Sequence, residues 1–275
     1  MKYCNKLGQI ESEIIDCAKA MMTKESGVYA YAILQAMKKL SSKGEVNYYL
    51  GIYYLEYGRI YWGMRGRYFE GKVSFRRARK CLKTALRHKP QNADILLAIG
   101  ESYFKERRYG QAQLYFCKAY ERGRTNSRFL WCLMEVSYLL KEYEKVSILF
   151  EQFDWDRAHD RTLTFWAGIL ATYAAAQQKN SRKMQEYLNA VGDVPQGMAD
   201  YDVAIISMLE LYYLTGDIEG MHRIYDSNKS DVKYIDSPCK DMLEATQFVS
   251  IRNPAIEQEL LASFTPLRLV PHFEW

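Results

Sequence analysis

The chain has 275 residues, 48% apolar and 26% charged, an ordinary balance for a soluble globular protein with a sizeable core in one or two domains. No apolar run approaches the ~20 residues that span a bilayer, and residues 1–13 hold no apolar signal core, so neither membrane spanning nor secretion through a cleaved signal is expected. The net charge of +5 is uneven, because residues 65–89 carry ten Lys/Arg and a single acid, Glu70, while the rest of the chain is slightly acidic.

Up to about Gly44 the sequence reads as two amphipathic helices. Ile10, Ile14, Cys17, Ala18 and Met21 recur at helical spacing, as do Tyr29, Ala32, Ile33, Ala36 and Met37. Ser26-Gly27 separates the two helices, and Ser41-Ser42-Lys43-Gly44 makes a turn.

A 34-residue register then runs without a gap through windows 59–92, 93–126 and 127–160. In the first, Trp62, Gly66, Phe69, Phe75, Ala78, Leu82, Ala85 and Pro90 take positions 4, 8, 11, 17, 20, 24, 27 and 32. The second puts Leu96, Ile99, Gly100, Tyr103, Tyr109, Ala112, Phe116 and Ala119 at positions 4, 7, 8, 11, 17, 20, 24 and 27. The third repeats the pattern with Leu130, Leu133, Tyr143, Val146, Phe150 and Phe153. Residues 45–71 also admit a competing register, since Leu50-Gly51, Tyr54 and Gly58 match the front half of such a unit. The register on Trp62 and Gly66 is preferred because Ala78, Leu82, Ala85 and Pro90 complete it.

Downstream the pattern weakens. Ala167-Gly168 and Ala171 keep their positions, but Met184, Leu188 and Val191 arrive about four residues late, which implies an extra turn between the two helices. A further unit follows, with Ile205, Met208, Leu209 and Tyr212, a turn at Gly216-Asp217, then Ile218, Met221 and Tyr225. Beyond Ser227 the chain turns polar, and Pro238, Pro254, Pro266 and Pro271 punctuate short helices and an extended tail.

This pattern resembles the tetratricopeptide repeat, whose period is ~34 residues. The resemblance implies an all-α fold, a right-handed superhelix of helix-turn-helix units. Residues 1–44 would be a cap or degenerate repeat, 45–226 the solenoid, and 227–275 capping helices and a tail that folds back or docks elsewhere. Gly66, Gly100 and Gly168, with Ala78 and Ala112, would leave room where paired helices cross.

The same resemblance nominates a concave face on the first helices. It would comprise Ile60, Gly63, Arg67, Glu70 and Gly71; Asp94, Leu97, Glu101, Phe104 and Lys105; Arg128, Trp131, Glu135, Tyr138 and Leu139; then Phe165, Trp166, Ile169 and Tyr173. Such a face suits a protein partner presenting a helix or extended peptide. The Lys/Asn clamp that some family members use for a C-terminal carboxylate is not expected. Its slots hold Gly63, Arg67, Ala98, Arg128 and Cys132, and only Arg128 offers the needed charge.

Arg76, Lys80, Lys83 and Arg87 form a separate helical stripe, flanked by Arg77, Arg79 and Lys89. It suits an acidic partner, with nucleic acid the alternative, though no nucleic-acid reading motif accompanies it. No Gly-rich phosphate loop, His-Glu-x-x-His or Gly-x-Ser-x-Gly occurs, and His88, His159, His222 and His272 are far apart. The six cysteines (Cys4, Cys17, Cys81, Cys117, Cys132, Cys239) are scattered, with no Cys-x-x-Cys pair, which suits a reducing compartment. The expectation is a cytoplasmic, non-enzymatic adaptor, chaperone or scaffold without metal or cofactor. The alternative is a regulatory or nucleic-acid-associated protein acting through the basic patch.

Overall fold

A computed structural model describes residues 13–18, 27–40, 44–63, 67–123, 126–153, 161–192, 194–195, 201–228 and 254–263. Among these all regular structure is α-helical, and the chain divides into two compact units, one to Arg124 and one from Thr125. The first contains α1 (Gly27–Leu40), α2 (Gly44–Gly63), α3 (Tyr68–His88), α4 (Ala93–Lys105) and α5 (Tyr109–Arg122). The second contains α6 (Ser127–Leu139), α7 (Tyr143–Gln152), α8 (Arg161–Gln177), α9 (Ser181–Val191), α10 (Tyr201–Thr215), α11 (Ile218–Asn228) and α12 (Pro254–Ser263).

The helices start and stop by recurring local chemistry. Asn92, Asn126 and Asn180 each precede a helix, and their side-chain oxygens accept from the amides of Ile95 (2.9 Å), Arg128 (3.0 Å) and Lys183 (3.1 Å). Each thereby satisfies a donor that the first helical turn leaves without an intrahelical partner. Four first helices also end alike. Arg107 (φ 58°), Lys141 (φ 62°), Lys179 (φ 55°) and Gly216 (φ 83°) adopt the left-handed conformation just past α4, α6, α8 and α10. At each, two successive amides turn back on the helix, as Arg107 N to Phe104 O (2.8 Å) and Arg108 N to Tyr103 O (3.0 Å). This paired closure, the Schellman motif, satisfies the last carbonyls with main chain alone and reverses the chain within a few residues.

In the α4–α5 and α8–α9 pairs the close approach falls on glycine. A Cβ on Gly100 would lie 2.5 Å from the Phe116 ring, and one on Gly168 would lie 2.5 Å from Val191. Both residues were expected at these crossings. Ala112, Phe116 and Ala119 are fully buried against α4, completing the second window. The late second helix of the fourth unit also has its explanation, since α8 has 17 residues where α4 and α6 have 13 each.

The first window needs correction. No helix begins near Arg59; α2 runs from Gly44 to Gly63, so Trp62 sits in its last turn, and Gly66 lies outside the described residues. The crossing with α3 falls at Gly51, where a Cβ would meet Leu82 at 2.5 Å, and at Gly58, where it would meet Phe75 at 2.6 Å. The upstream register therefore holds for the first helix, while Ala78, Leu82 and Ala85 keep their expected buried places on the second. With 20 and 21 residues, α2 and α3 are long enough to carry two glycine crossings.

The N-terminal helices close this unit. Ile15, Ala18, Leu34 and Met37 pack with Val46, Leu50 and Cys81. The buried stripes are rotated from those expected: Ile14, Cys17, Ala32 and Ala36 are exposed, while Ile15 and Leu34 face the core. The expected tail, 264–275, lies outside the described residues.

Candidate protein-interaction surfaces

In the first unit the expected concave positions divide, with Ile60, Arg67, Glu70 and Asp94 exposed and Gly71, Leu97, Glu101 and Phe104 packed away. Leu97, Glu101 and Phe104 are each 1% exposed. The Phe104 ring lies 5.6 Å from that of Tyr109 and 6.1 Å from that of Phe116, so it fills the α4–α5 interior and does not line a groove. Lys105 is half-buried, and its charge reaches Glu56 on α2. Burial pushes the Glu56 carboxyl above its ordinary range, with Arg59 and Lys105 opposing the shift. Arg67 is exposed, 4.3 Å above the Tyr61 ring and 3.5 Å from Glu70.

Sequence reading missed an aromatic ladder on α2. Tyr53 and Tyr57 stack at 5.9 Å, Tyr57 and Tyr61 lie 4.3 Å apart, and Tyr31 of α1 stacks on Tyr53 at 4.9 Å. The Tyr57 hydroxyl donates to that of Tyr61 at 2.9 Å. The i, i+4, i+8 tyrosines could have revealed it once α2 was known to be a single helix. At its end, Tyr57, Ile60, Tyr68 and Phe69 are exposed.

The basic stripe forms, with one correction. Arg76, Arg77, Lys80, Lys83 and Arg87 are exposed on α3, and Arg77 lies 5.9 Å above the Tyr54 ring. Arg79 is not part of the surface, being only 7% exposed. Its guanidinium donates to the Ser102 carbonyl (3.1 Å), pairs with Glu106 (3.0 Å) and stacks on Tyr103 (4.5 Å). A charge this buried persists only because three partners replace its water.

In the second unit Trp131, Glu135, Tyr138, Phe165, Trp166 and Ile169 are all 5% exposed or less, while Arg128 is half-buried. The physical reason is that α6 and α8 are apolar on nearly every side. An unbroken run from Phe129 to Tyr138 is buried on α6, and nearly the whole length of α8 is buried. A helix apolar all round is buried all round, leaving no exposed aromatic stripe.

Two of the expected residues, Tyr138 and Leu139, do border a cleft. Tyr138 stands 5.2 Å from the Tyr143 ring, at an opening of about 470 Å³ shared with Leu139, Lys141, Gln177 and α12. The Gln177 amide donates to the Leu261 carbonyl at 3.1 Å and reaches the Tyr138 hydroxyl at 3.5 Å, while burial pushes that phenol upward. Beside it, Leu260 is fully buried and Ile256 is 9% exposed. Beside this cleft α8 thus receives a short helix from the same chain.

No family model matches the chain, and no curated protein matches it. A solved structure of PilF from Pseudomonas aeruginosa aligns with a TM-score of 0.59 over 94% of this chain and 99% of that one, at 13% identity. At that identity the likeness establishes the fold, an all-α, tetratricopeptide-like helical repeat. Among the described residues no helix is long and apolar enough to cross a membrane.

Proposed function

We propose that this chain is a non-enzymatic interaction scaffold that holds a protein partner through a helix or extended peptide laid against its first helices. The fold supports a protein-interaction role in general terms, because helical repeats present large surfaces. The carrying observation is the seat of α12. Ile256 and Leu260 supply the apolar contact, and Gln177 pairs with a main-chain carbonyl that any helix end or strand can offer. Recognition of main chain beside an apolar seat binds a class of segments and needs no unique side chain. Adaptor, chaperone and assembly-scaffold roles, including service within a secretion machine, share this mode.

The test begins with affinity capture from the native cell and identification of the bound protein. Hydrogen exchange of the purified complex then locates the contact. Added protection on α6 and α8 is expected, and it should weaken in Gln177→Ala. Protection confined to other helices, or capture of nothing above a control resin, would sink the reading.

A further inference from the structure

Six side chains of α3 fall in one line: Phe69, Lys72, Arg76, Lys80, Lys83 and Arg87, at i, i+3, i+7, i+11, i+14 and i+18. At ~100° per residue this line faces away from the packed side, which is carried by Gly71, Phe75, Ala78, Leu82 and Ala85. All six are exposed, and Phe69, at 72%, is the most exposed large apolar side chain among the described residues. The line is about 27 Å long at ~1.5 Å per residue.

No Asp or Glu occurs from Gly71 to Lys89. Among the described residues no carboxylate lies within ion-pair distance of Lys72, Arg76, Lys80, Lys83 or Arg87. Elsewhere cations do find acids, as Arg59 with Glu56, Arg67 with Glu70, and Lys183 with Glu151. The like charges on α3 therefore repel one another along the helix without local compensation.

We infer that the outer face of α3 is a docking strip for an acidic helix of a protein partner, whose carboxylates recur at the same helical spacing and whose apolar side chain meets Phe69. Single-file charge matches a rod-like ligand better than a planar lipid surface, which would draw on cations spread across a face. A single-stranded nucleic acid would need rings between the cations for its bases to stack on, and none stands between Lys72 and Arg87 on this line. The strip belongs to a second helix of the first unit, so the inference stands apart from the α12 seat.

The probe is a fluorescent ~20-residue helical peptide with Glu at i, i+4, i+7 and i+11 and a Leu two turns beyond, followed by anisotropy against the full chain. Its Gln counterpart, a single-stranded oligonucleotide of equal charge and phosphatidylserine vesicles serve as competitors. The acidic peptide should bind with strong salt dependence, and Lys80→Glu with Lys83→Glu should weaken it by roughly tenfold or more. The same double variant should instead bind the peptide with Lys in place of Glu, a charge swap that a misfolded protein would not show. Phe69→Ser should weaken the acidic peptide several-fold with its salt dependence kept. Lys80→Gln with Lys83→Gln gives a milder version of the same loss. Equal binding of the Glu and Gln peptides, or tighter binding of the oligonucleotide or vesicles, would overturn the inference.

Discussion

Arg79 on α3 stands 3.0 Å from the carboxylate of Glu106, just past the end of α4, with both side chains less than a tenth exposed. The pair locks two neighbouring helix pairs together, although Arg79 belongs to the most basic stretch of the chain. Removing Arg79 leaves the buried Glu106 carboxylate with only the longer 3.8 Å contact to the half-exposed Arg108. Arg79→Ala is expected to lower stability by about 3–5 kcal/mol, while Arg76→Ala stays within about 0.5 kcal/mol. Urea denaturation separates them, and equal midpoints would show that Arg79 contributes no more than a surface arginine.

Gly100 and Gly110 both lie in helices, yet they should answer oppositely to alanine. At Gly100 the new methyl would meet the fully buried Phe116 ring at 2.5 Å, whereas at Gly110 it would meet nothing within 4 Å. Overpacking at Gly100 should cost about 1–3 kcal/mol and outweigh the better helix propensity. At Gly110 propensity acts alone, for a gain of about 0.5–1 kcal/mol. Thermal melts of the two variants should move in opposite directions, and a stabilised Gly100→Ala would refute the tight crossing.

Arg107 occupies a left-handed turn position with an exposed side chain, where glycine carries no steric penalty. Arg107→Gly should stabilise by about 0.5–1 kcal/mol after the added freedom of the unfolded chain is deducted. The same change at the helical, exposed Arg122 should destabilise by about 1 kcal/mol. A loss at both positions would argue against the turn conformation.

Glu56 offers a pH test. Its carboxyl is raised above the unfolded value by burial, so folding favours the protonated form. The favourable contribution is complete below the unfolded pKa and is lost as pH rises through the raised folded value. Glu56→Gln should therefore raise the melting temperature at pH values above the folded pKa, despite losing the 2.9 Å contact to Arg59. That advantage should shrink on acidification below the folded value. An advantage that is constant with pH would assign the effect to something other than this ionisation.

The repeat was legible where one residue type decides the packing. Gly100 opposite Phe116 and buried Ala112 and Ala119 are visible in a one-dimensional pattern. The front of the first window was not, because Leu50-Gly51 and Trp62 through Gly66 satisfy the same spacing and only the length of α2 decides between them. Arg79 was misplaced because its partner lies on a different helix, so nothing local marks it apart from its basic neighbours. The concave face was misread for a related reason. Position in a repeat specifies which side of a helix a residue occupies, but Trp131, Phe165 and Trp166 sit on helices covered on every side. Substituting Trp131 with alanine would consequently probe the core and not a partner.

The four left-handed exits after α4, α6, α8 and α10 have a further consequence. Each joint is closed by amides and carbonyls common to every residue, so its geometry is indifferent to the helix that feeds it. First helices of 13, 17 and 15 residues accordingly leave through the same bend. A chain built on such joints can gain or lose a helical turn in a first helix while its partner helix still begins on the same footing. Reach along each unit thereby becomes adjustable independently of how its two helices connect.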